Sequence, residues 1–155
     1  MKILLPVDGS ARAHAAVRLV VAFFRAGVPL EARVLHVQPR FHRHIAQFTS
    51  RAARDALRAE RSRAALAPAL EALVRMRVPC SALSELGEPA ERIAAVAARE
   101  RADAIVMGSG RIADQVVART DIAVTTVPEG RAGALERYAL PAGLGALAAL
   151  MWAAD

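Results

Sequence analysis

Short apolar runs alternate with longer amphipathic stretches along the chain, and the alternation repeats five times. Residues 2–7 (KILLPV) carry no polar alternation, which predicts a strand buried on both faces. Residues 31–37 (EARVLHV), 78–86, 105–107 (IVM) and 122–127 (IAVTTV) are the other strand candidates; the third is the least regular, with Ser81, Leu83 and Leu86 out of step. Between the first two, residues 11–26 repeat Ala13, Val17, Val20 and Phe24 at helical spacing, with Arg18 and Arg25 on the opposite face. Ser10 suits the N-cap, Gly27 the C′ position, and Pro29 stops continuation. Residues 41–50, with His42 and His44, read as a loop or frayed helix start. A long helix is expected over residues 51–77, capped by Thr49 or Ser50. Leu57, Leu66, Leu70, Leu73 and Val74 form its apolar stripe, and Pro68 is expected to kink or split it. Gly87 turns the chain, Pro89 fits a first helical turn, and Ile93, Val96 and Ala97 give that helix its buried face.

Apolar strands alternating with helices specify an α/β fold, a parallel sheet with helices on both faces. Ligands in such sheets sit beyond the carboxyl ends of the strands, where the winding reverses. The residues at those ends are Asp8 and Gly9, Val37, Gly87, and Gly108 to Arg111. Residues 104–127 stand out among them: a strand ends in Gly108-Ser109-Gly110 and feeds a short helix. That arrangement presents backbone N–H groups and is a candidate anion cradle.

Composition changes this picture little. A chain of 155 residues is long enough for one domain with a sizeable core. Aromatics are only 4%, so the core must be built from Ala, Val, Leu and Ile. The net charge of +6 permits anionic partners without identifying one, and Lys2 is the only lysine among the basic residues. Cys80 alone excludes an intrachain disulfide and a multi-cysteine metal site. Met1 leads straight into a strand with no basic-then-apolar leader, so a cytoplasmic protein is expected.

Four stretches resemble the universal stress protein family. KILLPVDGS (residues 2–10) is similar to its first strand and aspartate, and VLHVQP (34–39) to its second strand. LGEPAERIAAVAARERADAIVMGSG (86–110) resembles its most recognisable block, and DIAVTTVP (121–128) its terminal strand. The resemblance implies a five-stranded, Rossmann-like parallel sheet of the adenine nucleotide alpha-hydrolase-like type. It also implies a homodimer through the last strand, placing Ile122, Val124, Thr125, Thr126 and Val127 at the interface. Many members bind ATP or AMP and others bind no nucleotide. The implied nucleotide-binding residues are Pro6, Val7, Asp8, Val37, Gly108, Ser109, Gly110 and Arg111. Val7, Asp8 and Val37 would surround adenine and ribose, with Asp8 accepting from a ribose hydroxyl or the base. In ATP-binding members the phosphate loop reads Gly-x-x-Gly-x9-Gly-Ser/Thr. Gly108 matches the first glycine and Gly110 the last, with Arg111 where Ser or Thr is usual. The family pattern separates those glycines by 13 positions and this chain by two, so about 11 residues of the phosphate wrap are gone. Weakened or lost ATP binding is expected; the contacts to adenosine are not touched by the shortening, so AMP or adenosine binding stays open beside binding of no nucleotide.

Other residues carry bland and functional readings side by side. Arg111 opposes a helix dipole by roughly 0.3–1 kcal/mol. It reads either as a phosphate ligand or as a surface arginine, solvated or paired with Asp8 or Asp114. Asp8 is a nucleotide contact or a turn-former before Ser10. Glu88 is a helix-capping charge. His36 reads as a structural histidine; with His42 and His44 it has no Cys or carboxylate cluster, so no metal is expected. No nucleophile–base pair is visible, so no catalytic residue and no enzyme activity is expected, and Gly9-Ser10 lacks the length and lysine of a P-loop. Arg40, Arg43, Arg51, Arg54, Arg58, Arg61 and Arg63 form a basic run. Arg51, Arg54, Arg58 and Arg61 share one helix face that a phosphate backbone could follow. Asp55 and Glu60 offset them and no aromatics interleave, so a solvated face is favoured over nucleic acid. The α/β domain is expected over residues 1–128, with an apolar extension over 129–155 packing on the domain or a dimer partner. Its segment 140–153 (LPAGLGALAALMWA) is shorter than the roughly 20 residues that span a bilayer, so no membrane span is expected. The uncharged last strand, left as a bare edge, invites pairing with a second copy. The leading reading is a stress-response regulatory module. A ligand-free dimeric scaffold and an arginine-face nucleic-acid binder are the alternatives.

Overall fold

The computed structural model describes residues 1–40 and 50–129. The calls on Thr49, His42, His44, Arg43 and the apolar tail lie outside the described residues. Five strands form one parallel sheet in the order β3-β2-β1-β4-β5. They are β1 (Lys2–Pro6), β2 (Glu31–Gln38), β3 (Cys80–Leu86), β4 (Ala104–Gly108) and β5 (Ala123–Val127). The intervening helices are α1 (Ala11–Arg25), α2 (Arg51–Arg75), α3 (Pro89–Arg99) and α4 (Arg111–Val117). α1 and α2 pack on one face with Ile3, Leu5, Val34 and Val106; α3 and α4 pack on the other with Leu4, Leu35, Ile105 and Met107. The central strands β1 and β4 are therefore buried on both sides, which their unbroken apolar runs require. The winding runs outward from β1 to β3, then crosses back to β4 and β5, so the reversal lies between β1 and β4.

Each helix begins where its sequence supplies a cap, except α4. Ser10 Oγ accepts from Ala13 N–H, Ser50 Oγ from Ala53 N–H, and the Glu88 carboxylate from the amides of Ala90 and Glu91. Glu88 is thus the capping charge expected, and the Glu91 amide holds its carboxyl below the ordinary range. Gly110 caps α4 with no side-chain hydrogen bond.

Several local expectations are corrected. Pro68 does not split α2, which runs unbroken from Arg51 to Arg75. Leu66, Ala69 and Leu73 are buried on either side of the proline, so packing on the sheet carries the helix past the missing N–H. The helix stops before residue 77 because Arg77 takes a left-handed conformation (φ 58°). Leu57 and Val74 are 44% and 64% exposed, because the buried line of α2 is Ser62, Leu66, Ala69, Leu73. In α1 the buried arc centres on Ala16, so Phe23, one heptad on, is buried while Phe24 is only partly so.

Ser62 explains the choice of face on α2. β2 turns His36 and Gln38 toward that helix. Gln38 Nε2 donates to Ser62 Oγ (2.7 Å) and to the Arg58 carbonyl (2.7 Å). His36 Nδ1 hydrogen-bonds Ser62 Oγ at 3.1 Å, and Ser62 Oγ reaches Ser84 Oγ at 2.6 Å. Buried polar groups need such partners, and this network supplies them. His36 is the structural histidine expected. Burial lowers its pKa below 6.5, and the negative charge of Asp8 opposes the shift only in part. The unfolded chain therefore binds the proton first, so the native state loses stability as pH falls below about 6.5. Denaturant midpoints measured from pH 8 to pH 5.5 should fall more steeply for the native sequence than for His36→Gln. Parallel slopes would remove His36 as the cause.

Candidate functional site

β1 and β4 end side by side, and the chain leaves them toward opposite faces. The crevice between holds a cavity of about 320 Å³. Pro6, Val7, Asp8 and Val37 line one part of it, and Gly108, Ser109, Gly110 and Arg111 another. The eight residues singled out as nucleotide-binding candidates are thus brought together. Gly9 and Gly87 are not part of the lining. Leu35, Ile93, Met107 and Ala113 add apolar surface.

Asp8 closes a turn, its Oδ1 accepting from Ser10 N–H at 2.9 Å. Burial raises its carboxyl pKa, but the Ser10 hydrogen bonds and the Arg12 guanidinium outweigh that, leaving it below 3.8. It is a fixed anion at neutral pH. Val37 lies on β2 beyond the last bond to β1, which runs from Val7 N–H to the Leu35 carbonyl (2.8 Å). Alternation along a parallel strand turns the Val37 N–H and C=O the same way as those of Leu35, toward the crevice. A donor and an acceptor thus sit together at the mouth of an apolar slot.

The glycine turn is built differently from a phosphate cradle. Ser109 N–H is already committed to the Val127 carbonyl (2.8 Å). A Cβ at Gly108 would stand 2.6 Å from Arg12 Cβ and 2.9 Å from Arg12 C, because the end of β4 rests on the first turn of α1. A Cβ at Gly110 (φ 141°) would meet Arg12 Nη1 at 2.8 Å. Both glycines therefore make room for Arg12, a cavity-lining residue that the sequence reading missed. The signal was present: a cation in a first helical turn, the same argument applied to Arg111. Arg12 Nη1 donates to the Ser109 carbonyl (3.1 Å), and its Nε lies 3.4 Å from Glu129 Oε2. Arg111 is exposed and forms no ion pair with Asp8 or Asp114. The pairing of Arg111 with Asp8 or Asp114 is thus not formed, and the cavity is lined by this residue. Past it, the α4 amides of Arg111, Ile112 and Ala113 precede the first intrahelical bond, Asp114 N–H to the Gly110 carbonyl.

Among the described residues β5 is an edge strand, paired only with β4. Of the interface candidates, Thr126 is exposed and Ile122, Val124 and Thr125 are half-buried. The Val127 side chain is buried in its own domain's core. The arginine face of α2 is partly neutralised: Arg51 and Arg58 pair with Asp55, and Arg63 with Glu60.

The profile of the Universal stress protein family matches residues 1–128. The chain belongs to this family. Its fold is shared with solved universal stress proteins. An Arabidopsis thaliana family protein with AMP bound is 18% identical, with 84% of this chain and 92% of that one covered and a TM-score of 0.67. An Archaeoglobus fulgidus universal stress protein in complex with dAMP is 23% identical over 81% and 96%, at 0.62. A universal stress protein in complex with cAMP is 19% identical over 84% and 98%, at 0.65. At these identities the likeness is one of fold. Comparison with curated proteins found no match.

In this universal stress protein the contact of Gly108 with α1 is steric, since its backbone is not in the left-handed region. Gly108→Ala should lower stability by about 1–3 kcal/mol, the usual range for forced overpacking. Urea unfolding measures it; an unchanged midpoint would show that β4 and α1 can separate freely.

Proposed function

We propose that this universal stress protein is a cytoplasmic regulatory module that binds an adenine nucleotide carrying one phosphate, with ATP held weakly or not at all. The observation that carries the reading is the crevice between β1 and β4. Asp8 and the backbone of Val37 face one part of it, and a shortened glycine turn closes another. A paired donor and acceptor above an apolar slot complement the edge and faces of a purine base, and a fixed carboxylate suits a ribose hydroxyl. The volume lies at the small end of the roughly 300–1,000 Å³ typical of ligand pockets. A loop with Ser109 N–H already used, and no residues left to wrap β- and γ-phosphates, offers a triphosphate little. The similar proteins named above hold AMP, dAMP and cAMP, each with one phosphate.

The module acts as a homodimer through β5. Ladder alternation turns Val127 toward β4, where its carbonyl accepts from Ser109, and so turns the backbone of Val124 and Thr126 toward the free edge. A second reading, a ligand-free dimeric scaffold, is favoured by Ile112 and Val117, large apolar residues left exposed on α4.

Native mass spectrometry with added AMP and ATP tests the ligand. One AMP per subunit is expected, with ATP occupancy lower at equal concentration, and Asp8→Asn should weaken AMP about tenfold, as loss of a charged hydrogen bond does. No shift with AMP would favour the scaffold. Light scattering tests assembly: a dimer is expected for the native chain and a monomer for Thr126→Pro, which removes only an outward N–H. A native monomer at micromolar concentration would refute the β5 dimer.

A further inference from the structure

The cavity-lining cations are Arg12 and Arg111, and they differ in how they are held. Arg111 is exposed. Arg12, although its side chain is half exposed, is held at defined points: its backbone is pressed against Gly108, its Nη1 bonds the Ser109 carbonyl, and the absent Cβ of Gly110 leaves space for that nitrogen. Its remaining edge, at Nε, faces the Glu129 carboxylate at 3.4 Å. A cation in the first turn of α1 runs against the helix dipole, and that turn contains no acidic residue to offset it. The guanidinium fork accepts a carboxylate or a phosphate in the same planar, two-pronged geometry.

Resting on the nucleotide reading above, we propose that Arg12 is the phosphate-binding residue of this protein, supplied from α1 in place of the lost loop, and that Glu129 is a tethered competitor for it. Glu129 lies two residues past the end of β5 and places a carboxylate on the Nε edge that a phosphate would use. Both side chains of the pair are at least half exposed (50% and 60%), and an exposed ion pair is weak enough to be exchanged. A phosphate entering the crevice displaces Glu129 from the Nε edge while the Ser109 bond keeps the guanidinium in place. One arginine edge satisfies one phosphate. The site therefore discriminates between a nucleoside and its monophosphate, and Glu129 sets the threshold at which it does so.

Isothermal titration with AMP and with adenosine tests this. The native chain should bind AMP at least about tenfold tighter than adenosine, the range expected for a charged hydrogen bond. Arg12→Gln should bring the two affinities together, and Arg12→Lys should restore part of the gap because the charge returns without the fork. Glu129→Gln, a change at an exposed residue, should raise AMP affinity several-fold and widen the ratio. If Arg12→Gln keeps the AMP-to-adenosine ratio, the assignment of Arg12 fails while the nucleotide reading survives. If the native chain binds neither compound, the nucleotide reading itself fails and this inference with it. If Arg12→Gln does not fold, Glu129→Gln decides, and an unchanged ratio in that variant overturns the proposal.

Discussion

The close approach of β4 to the first turn of α1, at Gly108 against Arg12, is the constraint on which the ligand end of the molecule depends. The two segments belong to opposite halves of the winding, one leaving β1 and the other ending β4. Where they touch, Ser10, Arg12 and Ala13 line the crevice from the α1 side, across from Val37 and Met107. Side chains on both segments would hold them apart, and a glycine on one of them lets the backbones meet. The Arg12–Ser109 bond then ties the turn to the helix, and the bond from Ser109 N–H to Val127 ties it to β5. The turn is a junction of three elements before it is a binding loop.

That junction revises what glycine spacing means in this family member. Gly108 and Gly110 resemble the first and last glycines of a phosphate loop, and in sequence they invite a reading as backbone donors. In the structure their missing side chains face Arg12. The turn lies over α1, and the Arg12 side chain from that helix occupies its vicinity. Backbone amides of a loop and a guanidinium on a helix are not equivalent as anion ligands. The amides surround an anion; the guanidinium meets it along one edge.

The fold was legible because its signals are local and repeated. Apolar runs of strand length, caps at Ser10, Ser50 and Glu88, and Pro89 in a first turn each point to the same alternation, and local signals that agree are reliable. What stayed hidden required knowledge of packing. Whether α2 buries Leu57 and Val74 or Ser62 and Ala69 depends on His36 and Gln38 of β2, which need hydrogen-bond partners from the helix above. No periodicity argument ranks a serine above two leucine-sized residues. Pro68 did not split the helix for the same reason: its effect on the helix ladder is local, but the contacts that carry the helix past it are with the sheet. Within the site, the strand-end residues were legible from topology, since Asp8, Val37 and the glycine turn must converge once the winding reverses between β1 and β4. Arg12 was not, because its importance comes from what lies opposite it in space.

The electrostatics of the two ends of the sheet differ in a way that follows from this layout. At the amino ends of the strands, Lys2, Glu31, Arg33 and Glu100 are interlinked, so the charges there are matched within the protein. At the carboxyl ends the matching is incomplete. Asp8 is satisfied largely by Ser10, Arg12 is shared between a carbonyl and an exposed Glu129, and Arg111 is exposed with no ion pair among the described residues. Charged side chains of both signs, Asp8, Arg12 and Arg111, therefore meet around an apolar slot at the point where the topology opens a cavity.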